Sequence, residues 1–152
     1  MNIQEIEKAQ EKWGNGIVKI GELKDSTKEC RMFTLDFISK MYDYDKGIVQ
    51  FKPTKASDTQ FRVDVKAALS YFIGSDSDFI EDSGFALNPW VSVEFENNSI
   101  NIINDIAIAM GNYFFNDNQG DKIKVEYSFV YKKSDEGDLK IILHHSSLPF
   151  VK

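Results

Sequence analysis

The stretch His144-His145-Ser146-Ser147 holds both histidines of the chain beside two hydroxyls. On a strand, alternate side chains point to opposite faces, so His144 and Ser146 share one face while His145 and Ser147 share the other. Adjacent histidines therefore cannot readily hold one metal. A catalytic zinc takes three protein ligands, and such a site here would have to recruit carboxylates from elsewhere. The plainer reading gives one histidine a structural hydrogen bond and leaves the other exposed or facing a second subunit. Thr54, after Pro53 in Phe51-Lys52-Pro53-Thr54, could put a hydroxyl at a cavity mouth or simply end a strand. Tyr71 carries the same two readings, because a tyrosine at a helix edge can pack its ring and wet its hydroxyl. Asp105 lies in an apolar stretch, where burial would be costly and exposure is the alternative. Cys30 falls on an apolar helical stripe with no flanking histidine, which makes it a packed thiol. No phosphate loop, dinucleotide fingerprint, Gly-x-Ser-x-Gly elbow or His-Glu-x-x-His pair occurs.

The elements that must position these groups follow from periodicity. Ile3, Ile6, Gln10, Trp13, Ile17 and Ile20 step by three and four and predict a first helix. Gly14 and Gly16 oppose it, each by about 1 kcal/mol relative to alanine, so packing must offset them. Ser26 with Glu29 has capping-box spacing and opens a second helix whose stripe is Cys30, Phe33, Phe37 and Met41. Ser57 with Gln60 repeats that spacing and predicts a third helix with Phe61, Val65, Ala68, Leu69 and Phe72 on its face and Gly74 at its end. Tyr71 then sits about 80° to 100° from the centre of the face. Ile48 to Thr54 reads as a short strand that Pro53 ends or confines to an edge.

After Gly84 the chain reads as sheet. The expected strands are Trp90 to Glu96, Ile100 to Phe115, Lys122 to Tyr131 and Leu139 to Ser147. Their connections fall at Asn97-Asn98-Ser99, Asn116 to Asp121 and Lys133 to Asp138, with Gly111 marking a bend or bulge. Helices first and an antiparallel meander afterwards make an α+β domain, a curved sheet whose concave face the helices cover like a cone. The 152 residues suit one domain over positions 1–152.

Composition narrows the partners. Eighteen basic against 24 acidic side chains give a formal charge of −6, which disfavours phosphate backbones and anionic lipid, so neither nucleic acid nor membrane is expected. A hydrophobic fraction of 42% with 12 phenylalanines is that of a folding chain. One cysteine excludes an internal disulfide, a cysteine-rich zinc site and an iron–sulfur cluster. The first residues carry acids and lack a signal-peptide pattern, which makes the cytoplasm the expected location.

Three segments together, Phe51-Lys52-Pro53-Thr54, Ala68-Leu69-Ser70-Tyr71-Phe72-Ile73-Gly74 and Leu143-His144-His145-Ser146-Ser147-Leu148-Pro149, resemble the iota-class carbonic anhydrases, in particular their short, metal-independent algal and cyanobacterial branch. Gly84 to Trp90, Ala109 to Tyr113 and Val125 to Phe129 extend the resemblance over most of the chain. It implies the fold of nuclear transport factor 2, shared with SnoaL-like proteins and the association domain of calcium/calmodulin-dependent protein kinase II. It also implies reversible hydration of carbon dioxide to bicarbonate inside the cone, with no metal and no cofactor. Matched position by position, Thr54, Tyr71 and Ser146 are the catalytic and substrate-binding hydroxyls. Phe51 and Phe72 are candidate walls of the site, and His144, on the same strand face as Ser146, could orient it or relay a proton. Such hydroxyls can orient a water and stabilise charge on the bicarbonate oxygens. They do not obviously remove its proton, since bulk water has a pKa of about 15.7 and a metal is the usual means of lowering it. Two other functions fit the same fold: an assembly module, and a SnoaL-like protein acting on a larger ligand, which would need a large cavity. A sheet apolar on both faces needs cover on each side, so a homodimer is expected.

Overall fold

The computed structural model describes residues 1–152. Its first helix, α1 (Ile3–Glu22), opens on a capping box: the Asn2 side chain accepts from the Glu5 amide at 2.9 Å, and the Glu5 carboxylate accepts from the Asn2 amide at 2.7 Å. The predicted stripe is buried from Ile6 through Trp13 to Ile20, while Ile3 stays exposed. Gly16 costs the helix backbone entropy but lets α1 approach α2 closely, because a Cβ there would overlap the Phe37 ring. Helix α2 (Thr27–Met41) has Ser26 at its N-cap without a side-chain capping bond, so the capping box expected with Glu29 does not form.

The third helix begins later than the periodicity suggested. α3 runs Val65–Ile73, and Asp64 caps it by accepting from the Ala67 amide at 2.9 Å. Ser57 and Gln60 lie in a loop instead, and Phe61 is 62% exposed. The cause is Arg62. Its fully buried guanidinium donates to both Asp82 carboxylate oxygens at 2.6 and 2.8 Å and to the carbonyls of Thr59 and Ala67. Glu81 accepts from the amides of Ser57, Asp58 and Thr59, which fixes the same loop from its other side. A buried charge paired this fully outweighs a helical preference, because releasing it would leave a charge in the core.

The sheet order is β1-β5-β4-β3-β2, where β1 is Gln50–Lys52, β2 Trp90–Ile103, β3 Ile106–Asp117, β4 Lys122–Lys133 and β5 Leu139–Ser147. β1 is parallel to β5 and lies at the edge, stopping just before Pro53, so it is shorter than the expected Ile48 to Thr54. The other neighbours are antiparallel. Asn97-Asn98-Ser99 is a bulge inside β2, not the hairpin loop; the chain turns at Asn104-Asp105, with Asn104 in the left-handed region at φ 56°. Gly111 faces the bulge, and a Cβ there would strike the Glu96 carbonyl. Asp105 is exposed at the turn. A short 3-10 turn, Phe85–Leu87, precedes β2.

Helices α1, α2 and α3 cover one face of the sheet. Trp13 is one of two buried tryptophans, and its ring meets Phe37, Phe95, Tyr113, Phe115 and Phe129 at centroid separations of 5.7 to 6.5 Å. Truncating a core tryptophan costs about 3–5 kcal/mol, so Trp13 is a main anchor of α1 beside the fully buried Ile6, Ile17 and Ile20. The other face leaves Met110 53% and Ile108 38% exposed. No helix is long and apolar enough to cross a membrane.

Candidate active site

Two residues apart on β5, His144 and Ser146 both point inward and are buried, while His145 is exposed, as strand alternation requires. Parallel pairing sets Phe51 of β1 beside His144, and the chain then delivers Thr54 two residues beyond the strand end. The Thr54 and Ser146 hydroxyl oxygens lie 2.6 Å apart and share a hydrogen bond. From α3, Tyr71 brings its hydroxyl to the same end, where it accepts from the Lys55 amide at 3.2 Å. Tyr71 is buried, not marginal, because the Phe85 ring stacks on it at 5.5 Å. Thr54, Tyr71, His144, Ser146, Phe51 and Phe72 therefore line one small pocket, together with Trp13, Phe85 and Tyr113.

Beneath the pocket the polar groups continue inward. The Tyr113 hydroxyl bonds with Ser146 Oγ and, at 3.1 Å, with His144 Nε2. His144 Nδ1 meets the Tyr42 hydroxyl at 3.0 Å, and Trp13 Nε1 donates to that same hydroxyl at 2.9 Å. The imidazole lies between the rings of Phe51 and Phe129, stacked at 4.7 and 4.1 Å. That sealed position explains its charge state. Burial holds His144 well below the usual histidine range, with a smaller contribution from His145. Burial likewise pushes Tyr71 and Tyr113 above the ordinary phenol value, only partly offset by the hydrogen bonds they receive. Both phenols are therefore hydroxyl donors at neutral pH, and neither is a base.

The pocket is narrow, with a free volume of about 10 Å³, close to the space of one water molecule, and gives no room for the large ligand of a SnoaL-like enzyme. A wider groove of about 710 Å³ lies at the surface between α1 and α2 and contains none of these hydroxyls. No three His, Cys, Asp or Glu side chains converge in a set that could hold a metal ion. Cys30 is buried, with its sulfur 3.6 Å from the Ile20 carbonyl.

The metal-independent carbonic anhydrase family model matches residues 4–148. The chain belongs to that family. A metal-independent carbonic anhydrase from Nostoc sp. is 41% identical over 149 residues, covering 96% of this chain and 73% of the Nostoc protein. The crystal structure of an iota-carbonic anhydrase from a cyanobacterium, complexed with bicarbonate, superposes with a TM-score of 0.96 at 38% identity, covering 100% of this chain and 94% of that one. A nuclear transport factor 2-like superfamily protein from Salmonella enterica shares the fold, with a TM-score of 0.55, 12% identity and coverage of 98% and 92%. The expected α+β fold and the resemblance are thus both shown.

Within this carbonic anhydrase, sequence reasoning gave no part in the site to Tyr113, to Tyr42 or to Trp13, which it read only as a packing residue of the first helix. Tyr113 was the most accessible of the three. It shares strand parity with Ala107, Ala109 and Phe115, all buried, and an inward tyrosine hydroxyl needs a partner. Tyr42 follows the last turn of α2, where no periodic pattern points.

Proposed function

We propose that this carbonic anhydrase interconverts carbon dioxide and bicarbonate in the pocket of Thr54, Tyr71 and Ser146, without a metal. The convergence of three hydroxyls, from the turn after β1, from α3 and from β5, carries the reading. A water oxygen bonds to the carbon of carbon dioxide, one C=O electron pair moves onto oxygen, and the proton released passes to solvent at the mouth. Donors fixed in advance stabilise the oxygen charge as it develops, the kind of group whose removal costs about 10² to 10³ in rate. Thr54 and Tyr71 donate at that oxygen, Ser146 holds Thr54, and His144 supports Ser146 through Tyr113. Phe51 and Phe72, stacked at 5.9 Å, give apolar carbon dioxide a dry wall. The bicarbonate bound by the cyanobacterial structure supports this substrate.

Stopped-flow hydration on chelator-treated protein of checked metal content tests the proposal. Thr54→Ala, Tyr71→Phe and Ser146→Ala should each lose at least about ten-fold in rate while keeping the circular dichroism of the parent. Three folded, fully active variants would move the site elsewhere, and activity that depended on added manganese or zinc would refute the metal-free reaction.

The proposal takes residues 1–152 as one domain acting in the cytoplasm as a homodimer. Met110 and Ile108, exposed on the uncovered sheet face, support the pairing. A monomer by light scattering at micromolar concentration would refute it.

A further inference from the structure

We infer that Trp13 and Tyr42 fix His144 as the tautomer protonated only on Nε2, and so turn the buried hydroxyls into a one-way chain of donors ending at Thr54. Both are positioning residues for the reaction, an inference that rests on the assignment of Thr54 to the substrate pocket.

The direction follows from one group that cannot reverse. An indole N–H only donates, so Trp13 Nε1, 2.9 Å away, makes the Tyr42 oxygen an acceptor. The single Tyr42 proton then has His144 Nδ1, at 3.0 Å, as its partner. Trp13 is 2% exposed and Tyr42 1%, so neither can turn to bulk solvent. Were Nδ1 protonated instead, two donors would converge on the Tyr42 oxygen and its own proton would be orphaned in the core. Orphaning a buried donor disfavours that tautomer by roughly five- to 150-fold.

With Nδ1 bare and the ring uncharged, the His144 proton sits on Nε2 and is donated to the Tyr113 oxygen, 3.1 Å away. Tyr113 must then donate to Ser146 Oγ. Ser146 in turn donates to Thr54 Oγ1 across 2.6 Å. The Thr54 proton is left over and can point into the pocket. Tyr71, whose oxygen already accepts from the Lys55 amide, lies within hydrogen-bonding reach of Thr54 and can turn its own proton to a substrate in the pocket. Two donors thus face the substrate, the arrangement suited to a developing oxyanion. Run backwards, the chain would present a Thr54 lone pair to that oxygen and repel it. Both His144 nitrogens are engaged, so His144 directs the chain and does not take the proton released from water.

The test reads the tautomer directly, by long-range nitrogen–proton correlation spectra of full-length protein labelled with ¹⁵N-histidine at pH 7. His145→Gln identifies which signals are those of His144. The expected wild-type spectrum shows Nδ1 bare and Nε2 protonated; a proton on Nδ1, or on both nitrogens, overturns the inference even if the variants below fail to fold. Trp13→Phe keeps the Tyr42–His144 bond but removes the fixed donor, and Tyr42→Phe removes the partner of Nδ1. In either variant the two tautomers should mix, and with the competent fraction halved kcat should fall about two-fold at unchanged KM. Folded variants that both keep the pure Nε2 spectrum overturn the lock. Full activity of Thr54→Ala beside a locked wild-type spectrum would overturn the role of the chain in the reaction, a failure of the pocket assignment separable from failure of the lock.

Discussion

His144 is uncharged and sealed between two phenyl rings, and this makes the fold itself sensitive to mild acid. Burial holds its folded pKa well below 6.5, while in the unfolded chain it titrates near about 6.5. Between those two values the unfolded state binds one more proton than the folded state. Stability is therefore full above pH 6.5 and falls as pH drops, with a slope of about 1.4 kcal/mol per pH unit. Each pH unit spent in that interval takes a noticeable share of the margin of an ordinary domain. Carboxylates do not blur this window. Glu81, held at about 2 by the amides of Ser57 and Thr59, begins to matter only below its ordinary value of 4.5. Urea unfolding at pH 8, 6.5, 5.5 and 5 should show the fall in the wild type. His144→Gln should be less stable throughout yet flat across the same range. A wild-type curve level from pH 6.5 to 5, or an equal slope in the variant, would refute the argument.

The pH profile of hydration carries a second prediction. Burial raises Tyr71 and Tyr113 above the ordinary 10, so both donors survive past that pH and the stopped-flow rate should show no descending limb centred there. A limb at pH 10 would mean that an ordinary phenol is the working group. Third, Arg62→Leu should destabilise the domain by about 3–5 kcal/mol, since the Asp82 side chain, 2% exposed, would be left without its partner. A loss under about 1 kcal/mol in urea unfolding would show that the Arg62 network is not what holds the loop of residues 55–61.

Helix α1 was legible because Ile6, Trp13, Ile17 and Ile20 keep one period over about four turns, and β5 because Ile141-Ile142-Leu143 is an unbroken apolar run between Lys140 and His144. The site residues came from a resemblance of short segments, and alternation alone sufficed to put His144 with Ser146. Other features depended on partners far away in the chain. Arg62 unravels the predicted start of the third helix through Asp82, which no local window contains. The Asn97 bulge looks like a turn until Gln10, 87 positions earlier, is seen to hold its amide with two hydrogen bonds of 2.8 Å. Tyr42 and Trp13 escaped notice for the same reason: each reads as core, and only their shared hydrogen bond, 29 positions apart, makes them directional.

The Thr54–Ser146 contact joins residues 92 positions apart, through a three-residue strand that pairs only with β5. No fragment lacking β5 can assemble the pocket, however well its helices form. Non-local pairings are the slow ones, because loop closure precedes their reward. Catalysis should accordingly appear as one of the final events of refolding, after helix formation is complete, and regained activity becomes a clock for closure of the whole topology.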